Sequence, residues 1–235
     1  MSEEPNIQSQ PGYLTTSIGW GVIHLFAKVR PGTDGQAIVN VVKEACDDDH
    51  QVITFAVFGH KADVGFLLLG PDLWRLRRVQ TGLQRAGLDI VDSYVSMTEL
   101  SEYAAGVPDA VKQARLYPQL PPHGKNLVCF YPMSRKREGH ANWYALDFDK
   151  RTELMYEHGT SGRNFAGRII QLVTGSSGVD DYEWGVTLFG VSLDDLKAVV
   201  YTLRFDEASA IYGDFGPFYT GLIDDVRTVV ERVIP

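Results

Sequence analysis

The order strand, helix, strand, strand, helix, strand is legible twice along this chain, and that repeat restricts the fold more than any single residue. In the first copy, Trp20–Val29 is rich in β-branched and aromatic residues and reads as a strand. Gln36–Cys46 places Ile38, Val41, Val42 and Ala45 at helical spacing. The apolar runs Gln51–Phe58 and Val64–Leu69, split by Gly59–Asp63, read as paired strands. A helix from Pro71 to Gly87 would carry Leu73, Leu76, Val79 and Leu83 on one face and arginines on the other. Leu88–Met97 is again strand-like.

The second copy opens with Leu127–Met133 as a strand, followed by a helix over Asp149–Phe165 with a break expected at Gly159–Gly162. Arg168–Thr174 and Glu183–Phe189 read as strands around the turn Gly175–Asp181. Leu193–Leu203 is a helix behind the N-cap Ser192, and Gly216–Ile223 closes as a strand. Two such copies predict an α+β fold of duplicated ferredoxin-like domains, whose sheets can join edge to edge and hide edges that open sheets must protect. Residues 1–12 read as a disordered arm, 13–104 as the first domain, 105–125 as a linker and 126–235 as the second domain. The linker holds a partly helical stretch and then Leu120-Pro121-Pro122-His123-Gly124, which cannot form regular structure.

Composition narrows the function classes. A net charge of −8 argues against a general nucleic-acid binder, while leaving room for a local basic pocket for a small anion. The two cysteines, Cys46 and Cys129, are too few for a disulfide framework or a thiolate zinc site. No signal-peptide pattern and no apolar run of membrane-spanning length is present, so a soluble, cytoplasmic protein without membrane insertion is expected.

Chemistry concentrates in Asn126–Phe189. His158 shares a helical face with Leu154 and Met155, a mount suited to an iron ligand in a dry pocket or, more plainly, to a histidine capping its own helix. The other five histidines show no metal-site spacing. Tyr131 alternates with Leu127, Cys129 and Met133 on one strand face; it is either a phenol held rigidly at a pocket or a core tyrosine. Arg135, Lys136 and Arg137 follow as a solvated turn or a carboxylate-binding rim. Gln171 is the one polar residue in Ile169–Val173 and shares a face with both ends of that run. No P-loop, nucleophile elbow or dinucleotide fingerprint occurs.

Several longer motifs agree with one family. Ala114-Arg-Leu-Tyr-Pro118, Tyr131-Pro-Met-Ser134, Asn142-Trp-Tyr144, Glu157-His-Gly159, Asp181-Tyr-Glu-Trp-Gly-Val-Thr-Leu-Phe189 and Arg204-Phe-Asp-Glu-Ala-Ser-Ala210 resemble the coproheme decarboxylases of the chlorite dismutase-like superfamily. The resemblance is dense from Arg115 to Gly221 and implies a dimeric α+β barrel assembled into homopentamers. It implies oxidative removal of two propionates of Fe-coproporphyrin III (coproheme) as carbon dioxide, with hydrogen peroxide as oxidant and haem b as product. His158 would be the iron ligand, Tyr131 the catalytic radical site and Gln171 the distal residue. Arg115, Arg163 and Ser209 would contact propionates, with Met133 lining the pocket. Where the family commonly has lysine, four residues after the tyrosine, Arg135 stands here and retains the charge with another shape. A transient contact with a ferrochelatase would supply the substrate. Two other classes remain open at this point: a peroxidase-like or chlorite-degrading haem protein, which lacks support from a distal arginine, and a haem carrier or sensor, which needs His158 but not Tyr131.

Overall fold

A computed structural model describes residues 14–234; the expected N-terminal arm lies outside the described residues. In chain order the elements are β1 (Gly21–Lys28), α1 (Gly35–Ala45), β2 (Gln51–Val57), β3 (Val64–Gly70), α2 (Leu73–Arg85), β4 (Asp89–Thr98) and α3 (Asp109–Leu116). The second half gives β5 (Leu127–Arg135), the short β6 (Arg137–Glu138) and β7 (Ala141–Asn142), α4 (Phe148–Arg163), β8 (Ile170–Gly175) and β9 (Trp184–Gly190). It ends with α5 (Leu193–Leu203), α6 (Glu207–Ala210), β10 (Gly213–Phe215), β11 (Tyr219–Ile223) and α7 (Val226–Val233).

The main sheet runs β10-β5-β11-β2-β3-β1-β4-β8-β9, and β5 also pairs with β9, so the sheet closes on itself at β5. Within the first half the order is β4-β1-β3-β2, and within the second it is β11-β5-β9-β8, with antiparallel pairing throughout. The halves join through Thr98↔Thr174 on one side and Leu222↔Ala56 on the other.

Alternation of side chains divides the apolar residues into layers. Phe26, Phe55, Leu67, Tyr94, Phe130, Leu172, Phe189 and Tyr219 form one cluster inside the closed sheet, drawing a residue from each of its nine strands except β10. On the outer face of the first half, Leu25, Phe66 and Leu68 meet Ile38, Val42, Leu76, Val79 and Leu83 of α1 and α2. On the outer face of the second half, Leu127, Cys129, Tyr131, Val186 and Leu188 meet Phe165, Leu196 and Val199. Strand β5 is therefore buried on both faces, which is why its sequence is a continuous apolar run.

Two expectations are corrected. Helix α4 passes through Gly159–Gly162 without a break and is capped at Asn164, with no positive φ before Gly167. A Cβ at Gly159 would meet only Arg163 Nη1, and one at Gly162 nothing, so both glycines lie on an open face where they cost the helix little beyond propensity. The chain also continues past β11 into α7, whose Val226, Val229 and Val230 pack back onto the first half. Asp225 caps α7 by accepting hydrogen bonds from the Arg227 and Thr228 N–H groups.

Candidate active site

Strand register sets one face of the site. Across β8, β9 and β5, Gln171 lies beside Leu188 and Cys129, and the next row is Val173, Val186 and Tyr131. Gln171 and Tyr131 therefore share the outer face of the sheet, offset by one row. Phe165 and α5 cover the β5 and β9 portion, leaving Tyr131 only 5% exposed. Beyond that cover β8 is open: Gln171 is exposed and Val173 is 41% exposed, a partly apolar ledge continuous with Tyr131's row. Met133 lies further along β5, opposite Trp184.

Burial pushes the Tyr131 phenol well above its ordinary pKa, the nearby Arg204 charge opposing this only in part. The side chain is accordingly a neutral phenol across the ordinary pH range.

Helix α4 forms the other wall. Its Leu154 is buried with Trp143, Ala208 and Tyr212, and Met155 packs against that cluster. One turn on, His158 emerges from the same face and meets α6. Its Nδ1 lies 3.1 Å from Asp206 Oδ2 and 3.5 Å from Ser209 Oγ. Asp206 is buried and caps α6, accepting a hydrogen bond from the Ser209 N–H at 2.9 Å. Burial alone would raise the Asp206 pKa, but hydrogen bonding and charge from His158, together with Ser209, hold it below the ordinary carboxylate value. An ionised carboxylate only accepts, so Nδ1 donates in this contact, and Nε2 is the ring nitrogen that Asp206 does not engage.

The structure brings His158 and Ser209 together and puts Tyr131, Met133 and Gln171 on one sheet face. Arg135 connects the two walls. Its guanidinium is buried, donates to the Ala208 carbonyl and to Met155 Sδ, and lies 4.5 Å over the Trp143 ring. This is an internal strut, unlike the solvent-facing rim expected from the basic turn. Arg115 and Arg163 stand exposed at the ends of α3 and α4; Arg163 donates to Thr160 Oγ1 and lies over the Tyr156 ring. Sequence reasoning passed over Asp206, although Asp206-x-x-Ser209 is a recognisable capping pattern. A groove of about 950 Å³ lined by Cys46, His123, Lys125 and Val226 lies elsewhere and contains none of the expected site residues.

Among the described residues no group of three or more His, Cys, Asp or Glu side chains can hold a metal ion. A single imidazole with a carboxylate behind it does fit an iron whose other ligands come from a macrocycle. The partly apolar ledge beside Tyr131 fits a flat ring system. No described helix is long and apolar enough to cross a membrane.

Comparison with known proteins gives the family and the fold. The chlorite dismutase family model matches residues 34–223. A coproheme decarboxylase from Staphylococcus carnosus (strain TM300) is 41% identical over 230 residues, covering 86% of this chain and 91% of the relative. Among solved structures, a heme-binding protein from Thermus thermophilus superposes with a TM-score of 0.84 at 33% identity, over 96% of this chain and 99% of that one. A chlorite dismutase variant from Candidatus Nitrospira defluvii shares the fold at a TM-score of 0.76 and 19% identity, over 94% of this chain and 98% of the other. With a family model spanning most of its length and a relative of this identity, the chain belongs to the chlorite dismutase family.

Proposed function

We propose that this protein converts coproheme to haem b by removing two propionate carboxyl groups as carbon dioxide, with hydrogen peroxide as oxidant, the last step of haem formation by this route. The carrying observation is the pairing of His158 with buried Asp206, together with a buried, neutral Tyr131 on β5, the strand whose Arg135 reaches Ala208 of α6. Support for the substrate comes from the 41% identical relative, named as a coproheme decarboxylase.

Bound coproheme supplies the peroxide-driven oxidation; the chain supplies position and proton control. His158 would present Nε2 to the iron, made more basic by the Asp206 carboxylate at Nδ1. Tyr131 would yield its electron and proton together, because burial disfavours the phenolate that a stepwise loss requires. The resulting phenoxyl takes a hydrogen atom from a propionate β-carbon and is restored to phenol. The substrate radical then gives up one electron and carbon dioxide, leaving a vinyl group on the ring. Counting the abstracted hydrogen atom, each propionate yields one carbon dioxide, one proton and two electrons, and one peroxide accepts the two electrons with two protons to give two waters. Arg115 and Arg163, exposed cations, and the Ser209 hydroxyl would engage propionates, with Met133 and Gln171 lining the pocket. Arg135 would act on that site through α6, where its guanidinium holds the Ala208 carbonyl.

The same proposal extends to architecture. The matching strand orders of the two halves support a pair of ferredoxin-like units, 13–104 and 126–235, joined by 105–125 and closed into one barrel, with homopentamers as the working assembly. Transient contact with a ferrochelatase would deliver the substrate.

Ferric coproheme mixed with the protein and titrated with peroxide should lose two carboxyl groups in sequence by mass spectrometry. Unchanged coproheme would overturn the enzymatic reading and leave a haem-binding protein. Tyr131→Phe should bind coproheme normally and stop carboxyl loss.

A further inference from the structure

Two aromatic rings flank Tyr131. Phe218 stacks on it, with centroids 4.5 Å apart and planes 22° apart, and Phe215 sits tilted at 6.0 Å. Arg204 places its guanidinium 3.8 Å from the Phe215 ring centroid. Phe215 ends β10 and Phe218 precedes β11, and both strands run antiparallel to β5 in the same direction, so both aromatics belong to one short bulge, Phe215–Tyr219.

That bulge is clamped at several points. The Gly216 N–H donates to the Pro132 carbonyl at 2.9 Å, next in sequence to Tyr131. A Cβ at Gly216 would stand 2.7 Å from both Pro132 Cγ and Tyr182 Cζ, so only glycine allows this approach. Lys61 Nζ donates to the Phe218 carbonyl at 2.8 Å. Tyr219 turns to the opposite face of the sheet from Phe218. There it stacks on Phe26 at 3.7 Å and donates its hydroxyl to Asp92 Oδ2 at 2.5 Å. Lys61, Phe26 and Asp92 all come from the first half of the chain, which carries none of the proposed substrate contacts.

Hydrogen-atom transfer depends on the angle and reach of the phenol oxygen, and a tyrosine ring swings about two side-chain torsions unless packing stops it. We propose that Phe218 is a positioning residue for Tyr131: its ring fixes the phenol plane, and the first half of the chain, through Lys61 and Asp92, fixes Phe218. This rests on the reading of Tyr131 as the hydrogen-abstracting residue.

The test has two arms. In the first, the full chain without porphyrin is prepared with ring-labelled tyrosine, and the Tyr131 signals are identified by their loss in Tyr131→Phe. The parent should show Tyr131 ring signals displaced by the Phe218 ring current and broadened or split by slow flipping. Phe218→Leu should move them toward free-tyrosine positions and sharpen them, while Phe218→Tyr should retain the parent pattern. Unchanged Tyr131 signals in Phe218→Leu would overturn the proposal. Should Phe218→Leu fail to fold, Asp92→Asn retains every aromatic residue but weakens the anchor of Tyr219, and must shift the same signals in the same direction as Phe218 loosens; unchanged signals there count equally against it.

In the second arm, the coproheme-loaded protein is followed through loss of the first carboxyl group. Phe218→Leu should lower kcat by about tenfold with KM within about twofold of the parent, and Phe218→Tyr should restore kcat. A rise in KM with kcat unchanged would make Phe218 a pocket wall and overturn the positioning role. If Tyr131→Phe decarboxylates at the parent rate, the reading of Tyr131 fails, and the spectroscopic arm still decides whether Phe218 holds the ring.

Discussion

Asp206 Oδ2 lies 3.1 Å from His158 Nδ1, and the carboxylate is almost wholly buried while the imidazole is partly open. A buried carboxylate behind a ligating imidazole fixes its tautomer and raises its basicity, so with His158 as the proposed iron ligand its electronics would be set through Asp206. Asp206→Asn keeps the shape and removes the charge. Ferric coproheme should bind about 10- to 100-fold more weakly to that variant, and the iron's reduction potential should rise. Absorbance titration and potentiometry check both; parent-like values in each would show that Asp206 serves only to cap α6.

The same contact has an acid limit. The Asp206 pKa is held below the ordinary carboxylate value by its His158 and Ser209 partners, against the opposing effect of burial. Its stabilising contribution is therefore complete above the unfolded carboxylate pKa of about 4 and is lost as pH falls through the lower folded value. Denaturant midpoints of the parent should drop more steeply than those of Asp206→Asn below about pH 4. Parallel acid limbs would mean that the carboxylate gains nothing from its partners.

Arg135 distinguishes a strut from a rim. Its guanidinium is 6% exposed and holds the Ala208 carbonyl between Asp206 and Ser209 in sequence. Arg135→Ala should cost about 2–4 kcal/mol, since it uncovers the Trp143 face and leaves a buried carbonyl without its donor. Arg135→Lys should recover only part of that loss, because an ammonium cannot reproduce the planar fork over the indole. A purely propionate-binding arginine would behave otherwise, with weakened coproheme affinity and unchanged denaturant midpoints.

How much of this was legible in the sequence depends on the range of the forces involved. Strand β5 and the face shared by Leu127, Cys129, Tyr131 and Met133 followed from period-two alternation, a local signal. His158 on the face of Leu154 and Met155 followed from helical spacing in the same way. The continuity of α4 did not, because Gly159 and Gly162 lower helix propensity while the packing of Leu154 against Trp143 and Ala208 overrides it. Helix α6 has four residues, too few for any periodicity, so Asp206 had no element to sit on. The apolar spacing of Val226, Val229 and Val230 was present, but their burial against the first half depends on residues nearly two hundred positions away. Arg135 was misplaced for a related reason: charge suggests solvent, and only the fold shows a carbonyl and an indole waiting inside.

His24 sets a second acid limit, independent of the site. It is 1% exposed inside the closed sheet, stacked on Phe130 at 4.0 Å, with Nε2 paired to Thr187 Oγ1 at 2.9 Å. Among the described residues its Nδ1 has no partner. Burial lowers its pKa from 6.5 to about 3, so the folded protein keeps it neutral while the unfolded chain binds a proton below pH 6.5. Stability must therefore fall as pH drops from 6.5, reaching a full penalty on the order of several kcal/mol below the folded pKa. Replacing the pair with His24→Phe and Thr187→Val removes the titrating ring without orphaning the threonine hydroxyl. Denaturant unfolding between about pH 7 and pH 5, above most carboxylate titration, should show a flatter stability profile for the double variant than for the parent. Equal slopes over that interval would mean that water or a proton reaches His24 in the folded state, and that the interior of the sheet is not dry.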